Sequence, residues 1–220
     1  MDALINVNGE NVQTLQILFL TTMVTLLPSI VVMMTSFTRY IISFSFLRSA
    51  MGLQHNPPNM VLVGMALFLT LFTMAPVISQ IQTTAYDPYV AEEITQDEFF
   101  DRAAIPLKEF MAKNTEQSAL DLFCSMAGIE TPEQTQDTQN LPMHILVPSF
   151  MTTELKRAFM IGFYLYIPFL LIDVVVASAL MSMGMIMLPP SMISMPFKLL
   201  LFITLDGWQL LFSTLVQGFH

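Results

Sequence analysis

Four apolar runs, about Leu15 to Met34, Met60 to Ile81, Ala158 to Leu188 and Phe197 to Val216, dominate the chain. Each approaches the roughly 20 residues that an α-helix needs to cross a bilayer's hydrocarbon core. A water-soluble fold of 220 residues could not hide that much apolar surface, since 54% of the residues are hydrophobic and 11% charged, with a mean hydropathy of +0.63. The runs predict an all-α integral membrane protein of two apolar helical hairpins. A fifth run, Tyr40 to Leu53, is shorter and carries Ser43, Ser45 and Arg48. It reads as an extension of the first helix.

Between the second and third runs the composition changes. Gln82 to Arg157 holds Asp87, Glu92, Glu93, Asp97, Glu98, Asp101, Glu109 and Glu116, as expected of a water-facing segment. Thr95 and Glu98 have capping-box spacing, and Phe100, Ala103, Ala104, Leu107, Phe110 and Met111 follow at helical intervals. Pro106 is predicted to kink or restart that helix. Ile129 to Asn140 is polar and rich in Gln and Thr, so it reads as a mobile loop, and Ser149 to Thr153 offers N-cap residues for the third long helix. The chain thus divides into an N-terminal hairpin (1–81), an acidic, mainly helical extracytoplasmic segment (82–157) and a C-terminal hairpin (158–220).

Cations set the expected orientation. The Arg39 to Asn59 connector carries Arg39 and Arg48 and no acid, whereas the acidic segment includes only Arg102, Lys108, Lys113, Lys156 and Arg157. By the positive-inside tendency the connector faces the cytoplasm. Four crossings then put both termini and the acidic segment outside, in the periplasm of a Gram-negative cell. Met1 to Gln16 contains Asp2 and Glu10 but no Lys or Arg, so the basic start of a secretory signal is missing. Either that signal has been removed or the first apolar run directs insertion itself.

Several function classes are disfavoured by composition. The net charge of −9, with few and scattered basic residues, argues against nucleic acid. Cys124 is the sole cysteine, so no internal disulfide framework forms, and no zinc-type Cys/His spacing occurs. HExxH, GxSxG, GxGxxG and phosphate-loop motifs are absent, and His55, His144 and His220 are far apart. Asp173 and Asp206 lie in apolar runs, but Asp206 precedes Gly207-Trp208 and lacks the GxGD context of intramembrane aspartyl proteases. No enzyme, metal or cofactor is expected.

One pattern recurs at identical spacing: Met51-Gly52, Pro57-Pro58 and Met60 reappear as Met183-Gly184, Pro189-Pro190 and Met192. Tandem proline removes two N–H donors and restricts the residue before it, which suits a turn between helices. Pro57, Pro58, Pro189 and Pro190 are therefore the candidate hairpin turns, with both tips on one side. Chance similarity in a Met-rich sequence is the bland alternative.

Leu26-Leu27-Pro28, Met33-Met34-Thr35-Ser36-Phe37-Thr38-Arg39, Pro57-Pro58-Asn59 and Ala66-Leu67-Phe68-Leu69-Thr70 resemble the FliP family of flagellar export-gate proteins, whose virulence-system relatives are the SctR proteins. Glu154-Leu155-Lys156, Ile167-Pro168-Phe169-Leu170 with Asp173, Pro189-Pro190, Pro196-Phe197-Lys198 and Asp206-Gly207-Trp208-Gln209-Leu210 extend the likeness in the same order. The resemblance implies a pentamer that joins FliQ- and FliR-like subunits in a helical channel of the inner-membrane export apparatus, through which unfolded substrate proteins leave the cytoplasm. It also implies that some helices of spanning length pack against other subunits instead of lipid.

Met183 and Met185-Ile186-Met187 lie where that family places a methionine gasket around the pore, with Ile186 departing from an all-methionine run. Methionine is flexible and apolar, which suits a seal that must part for a passing polypeptide, and β-branched Ile186 stiffens it. Packing filler is the plainer role; thioether copper binding is disfavoured because spacing of i, i+2 scatters the sulfurs around a helix. Asp173, Asp206 and Lys198 would each cost about 2.5–3.5 kcal/mol unpaired at a bilayer centre. Lys198 is expected to pair with Asp173 across a subunit boundary, with Glu154 joining from the third helix. Alternatively Lys198 snorkels and Asp206 caps a kink at Gly207. A rival reading is a small secondary transporter whose Pro28, Pro76 and Pro168 break helices around Asp173 and Arg39.

Overall fold

The computed structural model describes residues 4–7, 10–131, 141–185 and 187–219. Two short strands, β1 (Leu4–Val7) and β2 (Glu10–Gln13), pair antiparallel with Leu4 opposite Gln13, and β2 runs into α1 (Thr14–Met34). Four residues a side are too few for a strand alternation to stand out in sequence. Among the described residues, those that follow are helical or connect helices.

The fifth apolar run does not extend the first helix. It forms its own helix, α2 (Phe37–Ala50), which the Pro28–Met34 part of α1 meets at 79°. Hydroxyls take up carbonyls at the break: Thr35 Oγ1 donates to the Val31 carbonyl and Thr38 Oγ1 to that of Val32, at 2.5 Å. Once turned aside, α2 becomes the centre of the core. Tyr40, Phe44, Leu47 and Met51 recur at helical spacing and are buried with Leu62, Ala66, Phe169, Phe202, Leu211, Leu215 and Phe219.

After the turn, α3 (Asn59–Ile81) continues through one π-helical turn, Gln82–Tyr86, into α4 (Asp87–Val90). The widened turn precedes Pro88, which has no N–H for the ladder. Next come α5 (Gln96–Asn114) and α6 (Gln117–Ala127). The Thr95–Glu98 capping box is formed as its spacing predicts, and α5 runs through Pro106 without restarting. Residues 132–140, most of the expected loop, lie outside the described residues.

The third apolar run belongs to α7 (Met143–Ser182), which at 1.5 Å per residue is about 60 Å long. It starts at Pro142, not at Ser149 to Thr153. Those residues sit mid-helix, where Ser149 Oγ bonds back to the Ile145 carbonyl and Thr153 Oγ1 to that of Ser149. Thr153 Oγ1 also accepts the Glu116 N–H at 3.1 Å and so fastens the start of α6 onto α7. A second core, with Met111, Leu120, Cys124, Ile145, Leu146 and Phe150, joins α5, α6 and α7.

The fourth apolar run is likewise not one helix. It is split at Leu205 and Asp206 into α8 (Pro190–Thr204) and α9 (Gly207–Gln217), bent by 64°. Asp206 sits in the left-handed region at φ +48°, and a Cβ on Gly207 would overlap the Phe202 ring. By length and composition, Asn59–Val90 and Met143–Ser182 are long and apolar enough to cross a membrane, and each bent pair would add one more if it counts as a single span.

Candidate functional site

The two repeated motifs build the same kind of turn. At the end of α2, Gly52 adopts φ +76° and the Leu53 N–H reaches back to the Arg48 carbonyl at 3.1 Å. At the end of α7, Gly184 adopts φ +73° and the Met185 N–H reaches the Leu180 carbonyl at 3.0 Å. This is the Schellman pattern, and glycine suits it because a Cβ disfavours the left-handed conformation. The prolines then start the next helices. Pro57 precedes Pro58, the N-cap of α3, while Pro189 is the N-cap of α8 and Pro190 its first residue. Pro190 needs no N–H there, because the first helical donors have no intrahelical acceptor. Arg48 braces the first turn through the Pro57 carbonyl and, at 2.6 Å, Asn59 Oδ1.

The second turn carries the methionines. Met181, Met183, Met185, Met187 and Met192 are all exposed, and Met187 is 98% so. Ile186 lies outside the described residues. The tip is thus a cluster of flexible apolar side chains that this chain leaves uncovered.

Behind the tip, Lys198 of α8 makes two bonds within its own chain. Its Nζ donates to Asp173 Oδ2 of α7 at 2.7 Å and to the Ala50 carbonyl, the last of α2, at 3.0 Å. Asp173 Oδ1 also accepts from Ser194 Oγ at 2.6 Å. Lys198 is buried, whereas 41% of the Asp173 side chain is exposed.

Glu154 does not join that group. Its two carboxylate oxygens face Arg39 of α2, with Nε to Oε2 at 2.7 Å and Nη2 to Oε1 at 2.5 Å. Arg157 stands 3.9 Å from the same carboxylate. Arg39 Nη1 donates to the Gly218 carbonyl at 2.9 Å, and the guanidinium lies 3.5 Å over the Phe219 ring. Sequence reasoning assigned Arg39 only to the connector and to the rival transporter. Glu154 is assigned by sequence to the Lys198–Asp173 group, and with 115 residues between Arg39 and Glu154 no local pattern pairs them. Arg39 and Asp173 do not share a site: Arg39 meets Glu154 and Asp173 meets Lys198.

Among the described residues, no three His, Cys, Asp or Glu side chains come together to hold a metal ion. A cleft of about 330 Å³ opens beside the α8–α9 break, walled by Pro168, Phe169, Leu201, Phe202, Leu210 and their neighbours. Its lining is almost wholly apolar and offers little to bind a polar solute.

A family model described as the FliP family matches residues 20–215. The chain is 50% identical over 211 residues to the flagellar biosynthetic protein FliP of Bacillus subtilis strain 168, covering 96% of this chain and 94% of that protein. It is 49% identical over 215 residues to FliP of Pectobacterium carotovorum, covering 97% and 82%, and 44% identical over 212 residues to FliP of Aquifex aeolicus, covering 96% and 88%.

Proposed function

Because this chain belongs to the FliP family, whose relatives above are flagellar biosynthetic proteins, we propose that it is a pore-forming subunit of a flagellar protein-export gate. Five copies ring a lumen together with FliQ- and FliR-like subunits in the bacterial inner membrane, with the acidic helices between 82 and 157 facing the periplasm. Unfolded substrate proteins pass through the lumen. The gasket is Met183, Met185, Ile186 and Met187, contributed by each copy.

The observation that supports this reading best is the uncovered methionine tip of the α7–α8 hairpin. Exposed apolar clusters of that kind need another surface, and thioether side chains repack around differing contours without losing contact. A ring of such tips closes on itself at rest and parts around a chain of any sequence. The half-exposed Asp173 leaves a carboxylate edge open to a neighbouring copy, where it helps to set register between subunits. No phosphate-binding motif occurs in the sequence, so the conduit is passive and takes its driving energy from other proteins.

The test is the conductance of the co-purified assembly in planar bilayers. Replacing Met185 and Met187 with Ala should raise the resting ion leak several-fold without changing the native mass of the ring. An unchanged leak removes the gasket; a native mass of one chain removes the channel.

A further inference from the structure

Lys198 is placed where the two hairpins meet. Asp173 stands nine residues before the end of α7, and Lys198 eight residues after the start of α8. Ala50, the third partner, is the last residue of α2. The α7–α8 hairpin therefore continues about 12 Å past the level at which α2 ends, at 1.5 Å per residue. On that projecting part Val174, Val175, Met181, Met183, Met192 and Phe197 are exposed.

From this geometry we propose that Lys198 is the pivot of the methionine tip, a positioning residue that couples the first hairpin to the gate. The proposal rests on the gate reading and adds its regulation. The last carbonyls of a helix have no intrahelical donor and carry the negative end of its dipole, so a buried ammonium on the Ala50 carbonyl is a strong grip on α2. The same ammonium holds Asp173. While both bonds stand, the lean of the tip relative to α2 is fixed. When the Ala50 bond lets go, the tip hairpin, which α7 and α8 still form together through Ser194 and Asp173, swings as a unit. A push on α2 thus reaches the gasket through one side chain.

Two spin labels read the lean directly, one on each turn: Gln54→Cys and Leu188→Cys in a Cys124→Ala background, in assemblies diluted with unlabelled copies. Electron–electron distance measurements should give one narrow distribution with Lys198 present and a distribution at least twice as wide in Lys198→Gln. Ser194→Ala keeps both Lys198 bonds and should leave the distribution narrow. Asp173→Asn, which keeps the side chain's shape and removes its charge, should widen it by a smaller amount and serves if Lys198→Gln does not assemble. An unwidened distribution in Lys198→Gln, or in Asp173→Asn where that variant stands in for it, overturns the pivot, as does equal widening by Ser194→Ala. Conductance separates this result from the gate reading. A leak in Lys198→Gln with intact methionines supports the coupling, and a widened distribution with an unchanged leak overturns it. Failure of the gasket itself shows instead as no leak in Met185→Ala/Met187→Ala while the distribution stays narrow.

Discussion

Arg39 presents Nε and Nη2 side-on to both oxygens of Glu154, in a contact where the two side chains are 2% and 0% exposed. Two parallel charge-assisted bonds match the planar fork to the carboxylate, a geometry an ammonium cannot copy. The pair joins α2 to α7 in the middle of the molecule. Its sign also matters, because Arg39 lies in the first turn of α2, where a cation opposes the helix dipole and the Glu154 carboxylate offsets it.

Breaking this pair from one side should be costly. Arg39→Met leaves the Glu154 carboxylate buried with only Arg157, at 3.9 Å, for company, and an uncompensated buried charge costs about 3–5 kcal/mol. Denaturant titration of the detergent-solubilised protein should show that loss for Arg39→Met, and a large part of it for Arg39→Lys. The double variant Arg39→Met/Glu154→Leu should recover most of it. If the double variant is as unstable as the single one, the cost lies in packing and not in the orphaned charge.

The α8–α9 break supplies a second prediction. Gly207 is buried so closely against Phe202 that a methyl group there would overlap the ring. Gly207→Ala should therefore destabilise by about 1–3 kcal/mol, the usual cost of overpacking. Phe202→Leu, made in the same chain, should relieve a good part of it. Absence of rescue would mean that the alanine disturbs the backbone of the break instead of the ring.

The apolar runs declared the helices because composition and length are local properties, and so was the capping box at Thr95 and Glu98. The breaks were less legible. Nothing local distinguishes the Thr35–Ser36 bend, which depends on α2 turning to become the core; the break at Asp206 and Gly207 is legible as the alternative kink, but Asp206 takes the N-cap place in a left-handed conformation without a side-chain cap bond. The charged residues show the same division. That Asp173 and Lys198 need partners follows from the apolar runs around them, but Glu154 precedes such a run and Arg39 is 115 residues from it. The Ala50 carbonyl that holds Lys198 belongs to the backbone and leaves no mark in a sequence.

The cap of α5 carries a pH prediction. The Thr95 backbone N–H donates to Glu98 Oε2 at 2.9 Å, with the Thr95 hydroxyl at 3.3 Å, and the backbone bond first, then the side chain, hold the Glu98 carboxyl below its ordinary value. A depressed folded value means that the stabilisation is complete above the unfolded glutamate value and is lost as pH falls through the folded one. Carboxyl-carbon NMR should place the Glu98 midpoint below that of an ordinary glutamate. Thr95→Ala should raise it part of the way, since the backbone bond survives; Glu98→Gln should make the α5 start insensitive to acid. A midpoint at the ordinary value would mean that the box is open in solution.

Phe219 ties the acidic helices to the apolar hairpins. Its ring stacks on Phe110 of α5 at 5.8 Å with 20° between planes, meets Tyr40 edge-on at 5.7 Å and carries the Arg39 guanidinium on its face. Phe110 packs against both buried cores, so the two rings are a bridge between them. Aromatic pairs of this kind contribute about 0.5–1.5 kcal/mol beyond their buried area. A double-mutant cycle over Phe110→Ala and Phe219→Ala should accordingly give a coupling near 1 kcal/mol in the unfolding free energy, each single change costing several times as much. Strictly additive effects would mean that each ring serves its own core. In that case α5 and α6 would be held to α7 through their shared core and the Glu116 contacts with Thr153 and Lys156, without help from the segment that follows α9.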